Sequence, residues 1–416
     1  MSLLFYILVW TLAIPNSPIL AFHAGPFTLL KWLGIVCLLA AIFTMIRMGK
    51  CPPLATGVKS RWFIAYFLVA LISCFAHDGV SAFQTDALMF TISTCALFLM
   101  TLTFVTGVEH LRWAVLVAMG STAWGSLYVI RQWQHFHGMY ADFRTFGGLA
   151  GDPNYYAVTV VLWSPLILLW LLGKRPLWER CLCVACLLPV LLGFILAASR
   201  GGFLGLMVAL LFLIWHARHR VRAFVIVAVL MLPILLSPGH SAFHRLLHPD
   251  QSDEQSSQYR LDLWQSAANN FLEYPIFGVG LGHFRPWLES NGRRVYLPFH
   301  VAHNTYIGLG AELGLAGLLP FVFLLVGSQV RLRRIRRQLK SPQTPDEEFI
   351  RRVALGLQAG LLGYIICAFF LSTLWVQIFW FALFLSMGLT KVQASLQKSP
   401  QESATAQGRE LASATA

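Results

Sequence analysis

The chain reads as an all-α, polytopic membrane protein of about twelve transmembrane helices with one large loop on the non-cytoplasmic side. Three observations carry that reading. Hydrophobic residues make up 57% of the 416 positions, charged residues only 12%, and mean hydropathy is +0.65, far from the values of a soluble domain. Apolar stretches close to the ~20 residues that cross a hydrocarbon core of ~30 Å recur along the chain. The long polar stretch at 238–303 is bounded on both sides by such runs.

Taken in order, the predicted spans fall at about 3–22, 28–46, 62–77, 88–106, 113–131, 154–172, 181–198, 202–216, 223–237, 304–330, 353–371 and 374–390. Pro15 and Pro18 interrupt the first, which lacks the basic flank of a cleaved signal and reads as a span. The seventh and eighth are split only by Ser199-Arg200-Gly201 and could form one re-entrant hairpin. This divides the chain into a transmembrane bundle (1–237), the large loop (238–303), C-terminal spans (304–391) and a polar tail (392–416) that reads as disordered. Within the loop, Leu261, Trp264, Ala267, Ala268, Phe271 and Leu272 recur at helical spacing and predict an amphipathic helix over 257–273. A glycine-rich turn region follows at 275–284, and then further loop to 303.

Lys and Arg fix the expected orientation, since cytoplasmic loops retain them. With the N-terminus inside, the cytoplasmic segments hold 22 of the 31, and the long loop lies outside. The formal charge of +13 is thus mostly a topology signal and does not point to nucleic acid. The basic run from Arg331 to Arg337 carries the same signal and could also meet anionic lipid headgroups. None of the eight cysteines falls outside, so no disulfide framework is expected; Cys181, Cys183 and Cys186 open a span and read as small buried hydrophobes.

Few polar residues are placed where chemistry can occur. Arg200 lies at a span end on the outer side, as an interfacial anchor or as a ligand for an anion; Gly201 and Gly202 after it would let that anion approach helix N–H groups. Arg260 heads the amphipathic helix, in a loop with five arginines, no lysine and six acids. His303 enters the tenth span ahead of Asn304, Thr305 and Tyr306, as a helix cap or as a side chain able to exchange a proton near neutral pH; His300 competes for that role. Asp152-Pro153-Asn154 has a plain account as N-cap and first turn of the sixth span. Glu312, roughly 13 Å into the tenth span at 1.5 Å per residue, reads equally as a structural or a catalytic carboxylate. Its glycine neighbours Gly308, Gly310, Gly314 and Gly317 suggest close helix packing. Gly278, Gly280 and Gly282 lack the strand a dinucleotide fingerprint needs and read as backbone turns.

In this order the motifs resemble the O-antigen ligase and polymerase superfamily. The carrying residues are Gly151-Asp152-Pro153-Asn154, Ser199-Arg200-Gly201-Gly202, Arg260 with Trp264, the run from Pro275 to Phe284, and His303-Asn304-Thr305-Tyr306 with Glu312-Leu313-Gly314. The resemblance implies a membrane glycosyltransferase of the largely helical, GT-C-like class in the bacterial inner membrane, with its active site facing the periplasm. The donor it implies is a glycan on undecaprenyl pyrophosphate. The acceptor in the ligases is the lipid A core; in other branches it is another glycan or a protein hydroxyl. Carried over to this chain, Arg200 and Arg260 would hold the pyrophosphate and His303 would serve the reacting hydroxyl. Asn304, Tyr306, Glu312, Asp152, Asn154 and His300 would support them, with no metal and no cofactor. A polymerase, a protein O-oligosaccharyltransferase and, in another class, a lipid-linked sugar transporter or flippase are the alternatives.

Overall fold

The computed structural model describes residues 2–24, 27–49, 60–74, 82–136, 145–236, 251–291 and 302–414. The helices in chain order are α1 (Ser2–Thr11), α2 (Pro18–Ala21), α3 (Leu29–Met48), α4 (Arg61–Ser73), α5 (Ala82–Phe104), α6 (Val108–Phe136), α7 (Pro153–Leu171), α8 (Leu177–Ala197), α9 (Arg200–His216), α10 (Arg220–Leu236), α11 (Gln251–Glu273), α12 (Phe284–Ser290), α13 (Thr305–Gln338), α14 (Pro345–Cys367) and α15 (Gln377–Ala414). The extended pairing among the described residues is a two-residue antiparallel ladder, His23–Ala24 with Phe27–Thr28. Among the described residues eight helices are long and apolar enough to cross a membrane: α3, α5, α6, α7, α8, α13, α14 and α15. Shorter apolar helices α1, α4, α9 and α10 occupy the other four positions read from the sequence.

The protein is an all-α, polytopic membrane protein, and α7 lies at its centre. Its side chains are buried almost throughout, from Tyr156 to Trp170, including Trp163. It packs against α8, α9 and α14, while α6 packs on α8 and α4 on α13. Between helices in lipid there is little hydrophobic drive to associate, so tight association falls to small residues that let backbones approach. That role belongs to Gly356, Gly360 and Gly363 of α14, spaced four and three apart. A Cβ at Gly360 would lie 2.3 Å from the Leu162 carbonyl oxygen, and one at Gly363 2.7 Å from that of Gly205 in α9. Gly308 and Gly310, read from the sequence as packing glycines, have only ordinary contacts at 3.5 Å.

One buried carboxylate was not apparent in the sequence. Glu179, in the first turn of α8, is wholly buried, accepts from Trp170 Nε1 at 2.6 Å and from Arg112 Nη2, and lies 3.8 Å from Arg175 Nε. Two guanidiniums and an indole N–H compensate its desolvation, as a buried charge requires.

Five expectations need correction. The first span breaks into α1 and the short α2, because Pro15 and Pro18 remove N–H donors. The amphipathic helix begins at Gln251, and its buried face is Leu263, Ser266, Ala267 and Asn270; Leu261 and Leu272 are exposed. The loop after the glycine-rich region contains a helix, α12, whose Phe284 and Leu288 cluster with Leu263, Ala267, Ala302 and Ala311. The span at 304–330 runs on to Gln338 and is broken at Gly314 (φ 57°, ψ −159°). Finally, α15 continues to Ala414 where a disordered tail was expected. That tail has few large apolar residues, but its six alanines and four glutamines are of high helix propensity.

Candidate active site

At one end of the bundle three helix N-termini are capped by a side chain of the preceding residue. Asp152 Oδ1 accepts from the N–H groups of Asn154 (2.7 Å) and Tyr155 (3.2 Å) at the start of α7. Ser199 Oγ accepts from Gly202 N–H (3.3 Å) at the start of α9. Asn304 Oδ1 accepts from Tyr306 (3.0 Å) and Ile307 (3.1 Å) at the start of α13. Asp152 is therefore the expected N-cap. The first two ends are also joined directly, because Ser199 Oγ–H donates to Asn154 Oδ1 at 2.8 Å.

The turn after α14, residues 368–373, contacts Arg260 and close sequence neighbours of Arg200 and His303. Gly201, next to Arg200, faces it so closely that an added Cβ would sit 3.0 Å from Phe370 Cβ, and Cys367 Sγ–H donates to Gly201 O at 3.4 Å. Arg260 Nη1 donates to the Phe370 carbonyl at 3.3 Å. Thr305, two residues after His303, donates its N–H to Ala368 O (2.8 Å) and its hydroxyl to Leu371 O (2.7 Å), and accepts from Thr373 N–H (3.0 Å). Trp264 Nε1, one turn along α11 from Arg260, donates to Ala302 O at 2.7 Å. A single turn thus contacts Arg260 itself, Gly201 next to Arg200, and Thr305 two residues after His303, positions far apart in sequence.

The backbone around these residues is unusual. Among the described residues only two non-glycine positions adopt positive φ: Ala198 (46°), two before Arg200, and His303 (48°) itself. Such positions cost of order 1–3 kcal/mol each and persist where the surroundings enforce them. Asn304, not His303, supplies the cap, so the imidazole is not used for that purpose. Arg200, Arg260 and His303 are all partly buried. Each helix N-terminus carries roughly +0.5 charge, so the termini of α7 and α9 and two guanidiniums favour an anion at this end.

The supporting residues separate by function. Asn154 belongs to the constellation through Ser199. Tyr306 donates its hydroxyl to Ile365 O at 3.0 Å and braces α13 against α14. Glu312 lies at the break in α13 with its carboxylate beside the backbone N–H groups of Gly282 and Phe284. His300 lies outside the described residues. Gly201 and Gly202 do not open the α9 terminus to a ligand as expected. Both are buried, Gly202 against Ala157 of α7 at 2.6 Å for an added Cβ, so their role is close helix approach. No group of three His, Cys, Asp or Glu side chains set to hold a metal ion occurs among the described residues.

The glycine-rich loop is built into the break of α13. Freed by Gly314, the N–H groups of Leu315 and Ala316 donate to Pro275 O and Ile276 O, each at 2.9 Å. The carbonyls of Ala311 and Glu312 accept from Val279 (3.0 Å) and Gly280 (2.8 Å). Two glycines interlock: a Cβ on Gly278 would lie 2.4 Å from Glu312 C, and one on Gly314 2.4 Å from Ile276 C. The loop therefore completes the helix on which His303 is mounted.

Fold and site together define a polytopic membrane protein with a cationic, helix-capped constellation at one end of its bundle. Residues 183–322, about a third of the chain, match the family model described as O-antigen ligase. That span contains Arg200, Arg260, the glycine-rich loop and His303, but neither Asn154 nor the 368–373 turn. The chain is also similar to a Rickettsia conorii protein provisionally named a polysaccharide ligase, at 32% identity over 80 residues. That match covers 17% of this chain and 19% of the relative. Over residues 183–322 the chain is thus similar to the O-antigen ligase family, and it spans only about a fifth of the length of the curated relative it matches.

Proposed function

We propose that this protein is a glycosyltransferase of the O-antigen ligase type, moving a glycan from undecaprenyl pyrophosphate to a hydroxyl of the lipid A core at the periplasmic face of the inner membrane. The observation that carries the reading is that the 368–373 turn contacts Arg260, Gly201 beside Arg200 and Thr305 two residues after His303, joining three segments distant in sequence. In the reaction the acceptor oxygen attacks the anomeric carbon, the bond from that carbon to the pyrophosphate oxygen breaks, and the electron pair leaves on pyrophosphate. Two always-protonated guanidiniums with helix N-termini beside them compensate the charge that develops there. His303 takes the proton of the attacking hydroxyl. Attack opposite the leaving group inverts the anomeric centre in one displacement, and the two arginines fill the charge-compensating role without requiring a divalent ion.

One feature favours the alternative of transport, since broken helices are common in carriers. Here, however, the four backbone groups next to the break are bonded to residues 275–280 and so are not available to a substrate.

The test is deletion in the native host, followed by complementation with His303→Gly. Glycine suits the left-handed φ of 48°, so it removes the imidazole without adding backbone strain. Loss of polymer-capped lipopolysaccharide with accumulation of lipid-linked polymer is expected, and His303→Gly should restore transfer at a rate lower by on the order of 10² to 10⁴. A single repeat left on the core would make the protein a polymerase, and unchanged glycolipids with unglycosylated protein would make it a protein-modifying transferase. Full capping by His303→Gly would remove His303 as the base.

A further inference from the structure

A second cationic site lies at the opposite end of the bundle, where α9 and α13 end and α14 begins. From Thr305 to Arg333 is 28 residues of α13, roughly 40 Å at 1.5 Å per residue, which matches the ~40–45 Å between the two headgroup layers of a bilayer. Residues 333, 336 and 337 share one helical face, being three and four apart, and Lys340 follows just past the end of α13. They line a cavity of about 510 Å³ together with Arg351 of α14.

No carboxylate lines this cavity. Arg351 is paired with Glu348 at 2.8 Å, whereas Arg333, Arg336, Arg337 and Lys340 form no ion pair among the described residues. Arg336 is held in place by Gln358 Oε1 and by the Phe212 ring, 5.6 Å from its guanidinium carbon. Like charges so arranged repel one another, and an anion between them would relieve the repulsion. Beside the cavity the helix surfaces are apolar and exposed, with Leu211 and Trp215 on α9 and Val326 and Val330 on α13.

We propose that this cavity binds a phosphate-bearing anion at the membrane face remote from His303, with the adjoining apolar surface taking the acyl chains when that anion is a lipid headgroup. Orientation alone requires basic residues somewhere on a face; it does not require four of them around one cavity lined by no carboxylate. The site is separate from the transfer reaction and stands whether or not that assignment holds.

The test compares full-length wild type with two triple variants. One is Arg333→Gln/Arg337→Gln/Lys340→Gln, at exposed cavity positions; the other is Arg218→Gln/Arg220→Gln/Arg222→Gln, which removes three charges near the same end but outside the cavity. Binding of a fluorescent cardiolipin and of inorganic pyrophosphate is measured in phosphatidylcholine nanodiscs. The cavity variant should bind on the order of 10²-fold more weakly, and the control should change little. Loss confined to cardiolipin identifies a headgroup, and equal loss of pyrophosphate identifies a free phosphate anion; both support the site. Equal weakening in the two variants, or none in the cavity variant, would overturn it and leave only general surface attraction.

Discussion

The substitution Gly314→Ala tests the link between the glycine-rich loop and the helix that carries His303. At φ 57° and ψ −159° the position lies in a region essentially reserved for glycine, and a side chain there costs about 1–3 kcal/mol. The added Cβ would also sit 2.4 Å from both the carbonyl carbon and oxygen of Ile276. These are backbone atoms, so the loop must move, placing at risk four hydrogen bonds of about 1 kcal/mol each. Loss of half of them brings the total to about 3–5 kcal/mol. Gly327→Ala is the matched control: the same change on the same helix, with nothing within 4 Å of the new Cβ. Within a regular helix it should gain about 0.5–1 kcal/mol. Apparent melting in one detergent should place Gly314→Ala on the order of 5–10 °C below wild type and Gly327→Ala at or slightly above it. Gly278→Ala should resemble Gly314→Ala, and the double variant should cost less than the sum, because both changes disrupt one contact. If Gly314→Ala melts with Gly327→Ala, the broken helix and its loop lock are wrong.

Two further outcomes can be measured. Arg200→Lys and Arg260→Lys keep the charge and lose the planar fork, so each should weaken donor binding and turnover together; unchanged kinetics in a folded variant would show that its arginine does not hold the pyrophosphate. Gln255→Cys, on the exposed start of α11, should react with a membrane-impermeant maleimide from the periplasmic side, and reaction only after the inner membrane is permeabilised would reverse the proposed orientation.

Much of the candidate site was legible because polar residues at the ends of apolar runs on the predicted outer side are few. An arginine beside two glycines between apolar runs, or a histidine followed by Asn-Thr-Tyr at a span entrance, stands out against a background that is 57% hydrophobic. Asp152 as N-cap follows from residue type alone, since its side chain reaches N–H groups two and three residues on. Glu312 shows the limit of such reading: a carboxylate within an apolar run suggested catalysis or structure equally, and only the fold shows the N–H groups of Gly282 and Phe284 beside it.

By itself the sequence determined the membrane class, the approximate positions of most apolar helices and the short list of polar residues, because hydropathy and capping act over neighbouring residues and a span is bonded within itself. The tertiary structure alone decided that α13 is broken, since an isolated glycine in an apolar run reads as helix until a second backbone is found occupying its freed groups. It alone brought residues 368–373 against Arg260, Gly201 and Thr305. Those contacts are made by main-chain carbonyls, which every residue has, so no side chain in that turn could announce them.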